Sequence, residues 1–181
     1  MSENDLVLIA PEGDAVLVVC NESYEQQIKL RVKTSLLRAS STVFNIMFGP
    51  KFAEGQTLDD DTPPEIPLED DPDSMKIICQ VVHFQTTSLP RHLPACQVLQ
   101  LAQTMDKYDL LEAMNLAFDK WLVPSKDIHD LYMLMNAASL LKHEAGFQSV
   151  TRELLIVSNS PFVEEGRKFG VREEDLSILC T

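Results

Sequence analysis

The sequence lacks both a long apolar run and an excess of positive charge. No apolar stretch approaches the roughly 20 residues that cross a bilayer, and the amino terminus has no basic region followed by an apolar core. The 15 lysines and arginines stand against 28 aspartates and glutamates, giving a formal net charge of -13. Such a charge repels phosphate backbones and anionic lipids unless basic side chains cluster, and they do not cluster here. We therefore expect an intracellular protein, cytoplasmic or nuclear, that binds neither nucleic acid nor membrane directly.

The sequence also lacks the cysteine spacing of disulfide frameworks and zinc fingers. Its four cysteines are far apart, include no C-x-x-C pair and are predicted to be reduced core residues: Cys20, Cys79, Cys96 and Cys180. One metal-binding alternative pairs Cys79 with His83 and His92 with Cys96, because residues four apart share a helix face. Intervening prolines place the two pairs on different elements, so no metal is predicted.

Motifs of catalysis and cofactor binding are missing as well. There is no phosphate-cradling glycine loop, no G-x-S-x-G and no H-E-x-x-H. The acidic stretch 54–73 lacks the ligand spacing and central glycine of a calcium loop. Each histidine has a structural explanation, in a core helix, in a loop or at a helix end: His83, His92, His129 and His143. We predict no enzyme, no cofactor and no metal.

The amino-terminal third has the pattern of a small sheet. Residues 5–10 and 15–20 are apolar and rich in branched side chains, and Pro-Glu-Gly-Asp between them is a strong turn signal, which predicts a β-hairpin. A turn at 21–25 leads to a third strand that ends at Val32, where the apolar residues alternate.

Two short helices are predicted directly after this strand, since the apolar period changes to helical spacing. Thr34, Ser35 and Ser41 stand where the amides of new helices need side-chain acceptors, and Gly49-Pro50 ends the second helix. Residues 65–68 are predicted to form an edge strand.

Helices account for most of the remaining sequence. Asp71 and Pro72 begin a helix that is apolar nearly all round, as in the middle of a core. Two amphipathic helices, broken near 106–109, extend to Trp121. Asp127 is predicted to cap another helix, with the apolar stripe Leu131, Leu134, Met135, Ala138 and Leu141. Gly146 separates it from a helix over 147–157, and a weak final turn is predicted over 173–179.

Residues 13–122 resemble a BTB/POZ domain, most closely those of filamentous fungi. The resemblance depends on the order of several short words: GDAVLVV at 13–19, then Leu37, Ser41 and Phe44, MFGP at 47–50 with Phe52 and Glu54-Gly55, IPL at 66–68 with Asp70-Asp71, His83 with Leu89-Pro90, DKYD at 106–109, and Trp121-Leu122. The sequence departs from the family at Lys33, where a histidine is usual, and at Thr42, where proline is frequent. A buried lysine needs water or a carboxylate, and Asp14 is one candidate partner.

This resemblance implies an α+β fold, with a small β-sheet flanked by a cluster of α-helices. The expected organisation is the N-terminal strand of a hairpin at 1–13, a BTB/POZ domain at 14–122 and a C-terminal helical extension at 123–181. Seven residues are expected to have structural roles: Asp14, Lys33, Leu37, Ser41, Phe44, His83 and Trp121. Many animal members exchange strands through a longer amino-terminal arm, but only 13 residues precede Asp14 here.

Family members that recruit a cullin to a ubiquitin ligase present a hydrophobic residue, any residue and then glutamate after the helix pair. Phe52-Ala53-Glu54 has that pattern, and Tyr108 is expected to flank the same surface. The resemblance implies a non-catalytic interaction module that self-associates, as in a homodimer, or docks protein partners, with a cullin as the candidate partner. The alternatives are a scaffold or transcription-regulatory adaptor without cullin binding and, more remotely, an enzyme.

Overall fold

The structure, a computed structural model, describes residues 6–21, 26–56, 58–59, 61–111 and 118–157. It divides into two units. The first contains Met1–Leu89 and Lys107–Met114, and the second contains Pro90–Asp106 and Asn115–Thr181. The described residues form a small sheet and a set of helices, which confirms the predicted α+β class. Within those ranges, no helix is both long enough and apolar enough to cross a membrane.

The first unit contains a four-stranded sheet with the order β1-β3-β2-β4. Its strands are β1 (Leu6–Leu8), β2 (Ala15–Cys20), β3 (Gln27–Val32) and β4 (Glu65–Glu69). The inner strand β2 is buried at five of its six positions. A strand covered on both faces has a continuous apolar run rather than an alternating one, which is why AVLVVC forms the centre of the sheet.

The predicted hairpin of β1 with β2 is wrong, because β3 lies between them. β1 runs parallel to β3, and β2 runs antiparallel to it. The chain does reverse after β1, but the turn passes round the end of β3: the Ile9 amide donates to the Arg31 carbonyl and the Asp14 amide to the Val32 carbonyl. Gly13 permits this close passage, since a Cβ there would lie 2.5 Å from the Val32 carbonyl oxygen. A turn signal fixes where a chain reverses, not which strand it then joins.

The predicted edge strand over 65–68 is confirmed as β4, which pairs in parallel with β2. Its side chains alternate, with Ile66 and Leu68 buried and the others exposed. Pro67 lacks an amide hydrogen for a further ladder, so it is compatible with a strand that has a neighbour on one side only.

Two short helices follow β3, as predicted: α1 (Thr34–Ser40) and α2 (Thr42–Met47). Ser41 caps α2 by accepting the Phe44 amide hydrogen, at 3.0 Å. The expectation that Thr34 and Ser35 cap α1 is wrong, because they are its first two residues and the Lys33 side chain does not cap it. A carboxylate distant in sequence, that of Asp14, accepts the Thr34 amide instead.

Further along the first unit lie α3 (Ala53–Gln56), α4 (Pro72–Val82) and a 3-10 turn (Thr86–Ser88). The predicted cap of α4 is confirmed, since the Asp71 carboxylate accepts the Ser74 amide hydrogen at 2.8 Å and Pro72 occupies the first turn. Its apolar residues are buried on most of its circumference, as expected for a central helix: Met75, Ile77, Ile78, Cys79 and Val82.

The helix α5 (Ala95–Lys107) begins in the second unit, and its last residue belongs to the first. The second unit also contains α6 (Ile128–Leu140) and α7 (Glu144–Val157), which pack against each other. Asp127 caps α6, as predicted, by accepting the amide hydrogens of His129 and Asp130. The predicted stripe is buried throughout: Leu131, Leu134, Met135, Ala138 and Leu141.

Gly146 does not separate α6 from α7, which corrects the sequence-based boundary. The break is at Lys142, which has a left-handed backbone (φ 52°), and α7 already begins at Glu144. Gly146 is buried inside the first turns of α7, where a Cβ would lie 2.7 Å from a methyl carbon of Leu122. The glycine therefore permits close packing rather than ending a helix.

The cysteines behave differently from one another. Cys20 and Cys79 are reduced and buried, as predicted, but Cys96 is exposed at the start of α5, so its assignment to the core is wrong. Burial raises the pKa of the Cys79 thiol to about 12. Several predictions lie outside the described residues: most of the turn at 21–25, residues 112–117 of the second amphipathic helix, and the final turn at 173–179 with Cys180. The predicted boundary near residue 122 also stays a prediction.

Candidate partner-binding surface

The aromatic side chain of Phe52 lies on a short turn between α2 and α3. The turn is held by two successive backbone bonds, from the Gly49 amide to the Ile46 carbonyl and from the Phe52 amide to the Gly49 carbonyl. Phe52 is 47% exposed, an unusual position for a phenylalanine, and Glu54 in the first turn of α3 is partly exposed. The structure thus presents an aromatic ring and a carboxylate, two residues apart, on one fixed turn.

Gly55 explains why this turn is compact. A Cβ at position 55 would lie 2.2 Å from the Gly49 carbonyl oxygen and 2.6 Å from that of Phe48. Real Cβ atoms do not approach a carbonyl so closely, so the backbone of α3 can lie against the end of α2 only if this residue is glycine. Glu54-Gly55 therefore combines an accessible carboxylate with the residue that lets α3 fold back.

An aromatic stack supports α2. The Phe44 ring lies 4.5 Å from the Tyr108 ring and 5.7 Å from the Phe48 ring, centroid to centroid, with planes 14° apart in both pairs. Ser41 joins the same group, since its hydroxyl caps α2 and donates to the Tyr108 carbonyl. The predicted structural residues Ser41 and Phe44 are thus in contact with one cluster, and Leu37 is fully buried in α1.

Tyr108 is a core residue, so the expectation that it flanks a partner-facing surface is wrong. Its side chain is only 3% exposed, and its hydroxyl donates to the Asp70 carboxylate at 2.6 Å. Lys107 donates to the other oxygen of Asp70 at 2.7 Å. Burial, followed by the hydrogen bond to Asp70, raises the pKa of the Tyr108 phenol. The DKYD word thus ties the end of α5 to the residue that follows β4.

Asp109, the last residue of the DKYD word, forms a hydrogen bond with the first residue of α2. Asp109 has a left-handed backbone (φ 51°), and its carboxylate accepts the hydroxyl hydrogen of Thr42 at 2.5 Å. Thr42 is the first residue of α2, where the family frequently has proline. Proline has no hydroxyl, so this contact depends on the departure from the family pattern.

A second cluster forms round Asp14. Its carboxylate accepts both the amide hydrogen of Thr34, at 2.7 Å, and the hydroxyl hydrogen of Thr34, at 2.9 Å. The Lys33 ammonium lies 3.8 Å from the same carboxylate, which confirms Asp14 as its partner. Asp14 therefore contacts both residues at the junction between β3 and α1, Lys33 and Thr34.

His83 belongs to this cluster through the backbone. Its Nε2 accepts the Lys33 amide hydrogen at 2.9 Å, so Nδ1 must be protonated and donates to the Cys79 carbonyl at 2.7 Å. Burial lowers the pKa of His83, although the Asp14 charge opposes that effect. Both ring nitrogens are engaged, which leaves no lone pair for a metal. The described residues contain no group of three or more potential metal ligands.

Trp121 anchors a part of the second unit. Its indole is 3% exposed and donates to the Pro90 carbonyl at 3.0 Å, and the Phe118 ring meets it edge-on at 5.5 Å. The Lys120 ammonium lies 4.6 Å from the ring centroid. The predicted structural role of Trp121 agrees with these contacts.

Two features were not found by sequence reasoning. Asp70 is the common acceptor for Lys107 and Tyr108, but nothing in its acidic neighbourhood distinguishes it from the adjacent aspartates. The other feature is the position of β1, which was predicted as a strand but lies at the edge of the sheet, with Leu6 and Leu8 about half exposed. Its lack of charge was visible in the sequence, but its place at an edge was not.

Comparison of the sequence with models of known protein families and with curated proteins found no match.

Proposed function

We propose that the chain is a BTB/POZ-type interaction module, without catalysis of its own, that docks a cullin and acts as an adaptor of a ubiquitin ligase. The proposal is supported by the family words of the sequence together with the arrangement of a small sheet, a helix pair and a central helix. Those words coincide with structural contacts: Ser41 and Phe44 with Tyr108, and the DKYD word with Asp70.

The observation that carries the proposal is the exposed Phe52 ring, two residues before Glu54, on a turn that Gly55 keeps compact. Exposed aromatic rings that fill a pocket of the partner supply much of the binding free energy at interfaces. A neighbouring carboxylate adds orientation, because it pairs with a cation or an amide of the partner. The side chains of this turn thus offer the hydrophobic-any-acidic pattern in an accessible form.

The test is calorimetric titration of the full chain with the amino-terminal part of a cullin. We expect micromolar or tighter binding, lost in the variant Phe52→Ala with Glu54→Arg. The matched control makes the same two changes at other exposed positions, Phe84→Ala with Glu12→Arg, and should bind as the unchanged chain does. Because the two variants alter charge and aromatic content equally, the comparison isolates the turn at 52–54.

Two outcomes would contradict the proposal. Absence of binding by the unchanged chain would exclude the cullin adaptor. Equal loss of binding in the control variant would show that the loss is not specific to the turn at 52–54. Melting of both variants must be recorded as well, since a large loss of stability in the Phe52 variant would mark that ring as structural.

A second candidate function is self-association through β1. Edge strands of soluble proteins are usually protected by charge or proline, because their free backbone groups pair with other chains. β4 has this protection in Glu65, Pro67 and Glu69, whereas residues 6–10 carry no charge and Leu6 and Leu8 are about half exposed. A two-fold pairing of β1 strands would cover both leucines.

Sedimentation of Leu8→Lys tests this second function, with Val123→Lys as the matched control at a similarly exposed position. We expect the first change alone to shift the chain towards monomer. A monomer before any change would exclude the homodimer.

A further inference from the structure

The second unit contains a groove along α7 that involves neither the turn at 52–54 nor β1. It encloses about 850 Å³ and is completed by the end of α6 and the connection between the two helices. Most of its lining residues share one face of α7, because they recur at helical spacing: Glu144, Phe147, Gln148, Thr151, Arg152 and Leu155. The helix rises about 16 Å from the first to the last of them, so the groove follows roughly three turns of α7.

The apolar part of this groove is accessible. Phe147 and Leu155 lie two turns apart on the same line of α7, with Phe147 partly exposed and Leu155 57% exposed. Ala138 adds a small apolar wall from α6. Amphipathic helices bind in grooves by placing apolar side chains one and two turns apart, and these residues offer that spacing. The shape of the groove therefore suits a helix.

A buried hydroxyl without a partner lies on the same line. Thr151 is one turn from both Phe147 and Leu155, lines the groove and is only 6% exposed. Its Oγ1 has no hydrogen bond to any described residue. Such groups cost free energy and are rare in folded proteins, and a valine of nearly the same shape would remove that cost. The hydroxyl therefore marks a point where a polar group of a bound helix is expected.

The charge of the groove is opposite to that of the chain. Lys142 and Arg152 are exposed lining residues, and neither has an ion pair within the described ranges. Glu144, the acidic residue among the lining side chains, accepts a hydrogen bond from Gln148 at 3.1 Å. In a chain of net charge -13, two such cations beside an apolar line favour a partner that has carboxylates next to apolar side chains.

The histidine of the groove contributes no further cation. His143 Nδ1 accepts the Gly146 amide hydrogen at 3.0 Å, so Nε2 donates to the Asp119 carboxylate, also at 3.0 Å. Both ring nitrogens are thus engaged within the chain. Among the described lining residues, the cations that a partner can pair with are Lys142 and Arg152.

We propose that this groove binds an acidic amphipathic helix of a partner protein. Carboxylates of that helix pair with Lys142 and Arg152, its apolar side chains cover Phe147 and Leu155, and a polar side chain between them bonds to the Thr151 hydroxyl. For an adaptor of the proposed kind the partner is the protein to be modified, an assignment that rests on the proposed function, whereas the binding itself does not.

The positions of the two cations define the pattern of the partner helix. Lys142 precedes α7 by two residues, and Arg152 lies beyond its second turn. The helix rises about 12 Å from Glu144 to Arg152, so carboxylates on a helix laid along the groove must be two to three turns apart. Apolar residues one and two turns apart must lie between or beside them.

Selection from a displayed library of random peptides tests the proposal on the full chain, without a cullin. Peptides of about 16 residues are long enough to form four helical turns. We expect the enriched peptides to share two acidic positions two to three turns apart, with apolar positions at helical spacing. Synthetic copies of the best peptide then give the affinity by fluorescence anisotropy.

Charge reversal locates the bound peptide. Lys142→Glu with Arg152→Glu should weaken the selected peptide roughly tenfold or more, and replacing the two acidic residues of the peptide by lysine should restore binding to this variant. The matched control, Lys126→Glu with Arg91→Glu, makes the same exchanges at exposed positions of the same unit and should bind as the unchanged chain does.

Thr151→Val separates a binding role of the hydroxyl from a structural one. Because valine leaves no unpaired hydroxyl, the variant should melt at a higher temperature than the unchanged chain. It should nevertheless bind the selected peptide several-fold more weakly. A side chain that served only the fold would show neither effect on binding nor this opposite pair of changes.

Four outcomes would overturn the proposal. They are a library that enriches no sequence, a basic or uncharged consensus, equal binding to the reversed and control variants, and unchanged binding to Thr151→Val. Sedimentation supplies a further check, since a dimer of the unchanged chain that Lys142→Glu with Arg152→Glu dissociates would assign the groove to a second copy instead. All these results are obtained without a cullin, so failure here and failure of the proposed function are distinguishable.

Discussion

Trp121 is a large buried side chain of the second unit, and its indole makes several kinds of contact. It is buried, donates to the Pro90 carbonyl and meets Phe118 edge-on. We expect Trp121→Ala to lower the free energy of unfolding by about 3–5 kcal/mol, through lost contacts and the cavity that remains. Trp121→Phe retains part of the ring and should cost less.

Denaturant titration followed by circular dichroism measures this difference, since the variant has lost the only tryptophan and its fluorescence. Equal midpoints for the alanine variant and the unchanged chain would contradict the placement of Trp121 in the core.

His83 links stability to pH at the scale of one side chain. Its folded-state pKa is lowered below the ordinary value of 6.5, so the unfolded chain binds more protons in the window below that value. The contribution of His83 to stability should therefore be constant above neutral pH and fall as the pH drops through the unfolded-state pKa towards the lower folded-state pKa. Protonation at Nε2 would also break its bond from the Lys33 amide.

The comparison with His83→Gln isolates this effect, because glutamine has an oxygen acceptor on a side chain of similar length. We expect the free energy of unfolding of the unchanged chain to fall more steeply than that of the variant between about pH 7 and about pH 5, where most carboxylates remain ionised. Parallel curves would show that His83 is not responsible.

At the scale of elements, α1 begins at a carboxylate that lies 20 residues earlier in the chain. Asp14→Ala removes the acceptor of the Thr34 amide and leaves the hydroxyl of Thr34, which is 2% exposed, without its partner. We expect a loss of about 2 kcal/mol, towards the upper end for helix caps. Asp71→Ala removes the cap of α4 and should cost about 1 kcal/mol.

A double-mutant cycle with Thr34→Val checks the mechanism by chemical denaturation. In the valine background no hydroxyl is orphaned, so Asp14→Ala should cost less there than in the unchanged chain. Strictly additive losses would show that the two side chains do not act together.

These same elements indicate what the sequence allows to be predicted. The strands over 15–20 and 27–32, the cap of α4 at Asp71 and the cap of α6 at Asp127 depend on neighbouring residues, so local pattern was sufficient. The neighbour of β1 is set by backbone bonds from the turn after it to β3, which periodicity does not encode. Local pattern fixes an element, whereas its partner depends on distant packing.

The candidate site follows the same rule: its local sequence pattern was predictable, but the contacts of its residues with distant parts of the chain were not. Phe52 and Glu54 are the first and third residues of one short pattern, and they lie on the turn that Gly49 and Gly55 shape. Tyr108 was expected at the surface because of its place in the DKYD word of the family, but its hydroxyl is satisfied internally by Asp70, 38 residues earlier. Likewise, Gly146 was predicted to end a helix. The structure shows that the position requires glycine because a Cβ there would clash with a methyl group of Leu122.

At the scale of the whole molecule, the net charge of -13 opposes the compact state, because folding brings like charges together. The ion pairs Lys29 with Glu65 and Lys107 with Asp70 act in the other direction, but each has one well-exposed partner, and such pairs contribute little. Added salt screens both effects, and the excess of unpaired acidic residues should decide the sign. We therefore expect the melting temperature to rise with salt.

Calorimetric melting from about 0.01 M to about 0.5 M NaCl tests this expectation, because the screening length shortens several-fold over that range. An uncharged osmolyte at matched osmolality is the control for general solvent effects. Lys29→Gln with Lys107→Gln removes the two pairs, makes the chain more negative and should steepen the rise. A melting temperature that falls with salt in the unchanged chain would mean that paired charges, and not the acidic excess, dominate its electrostatics.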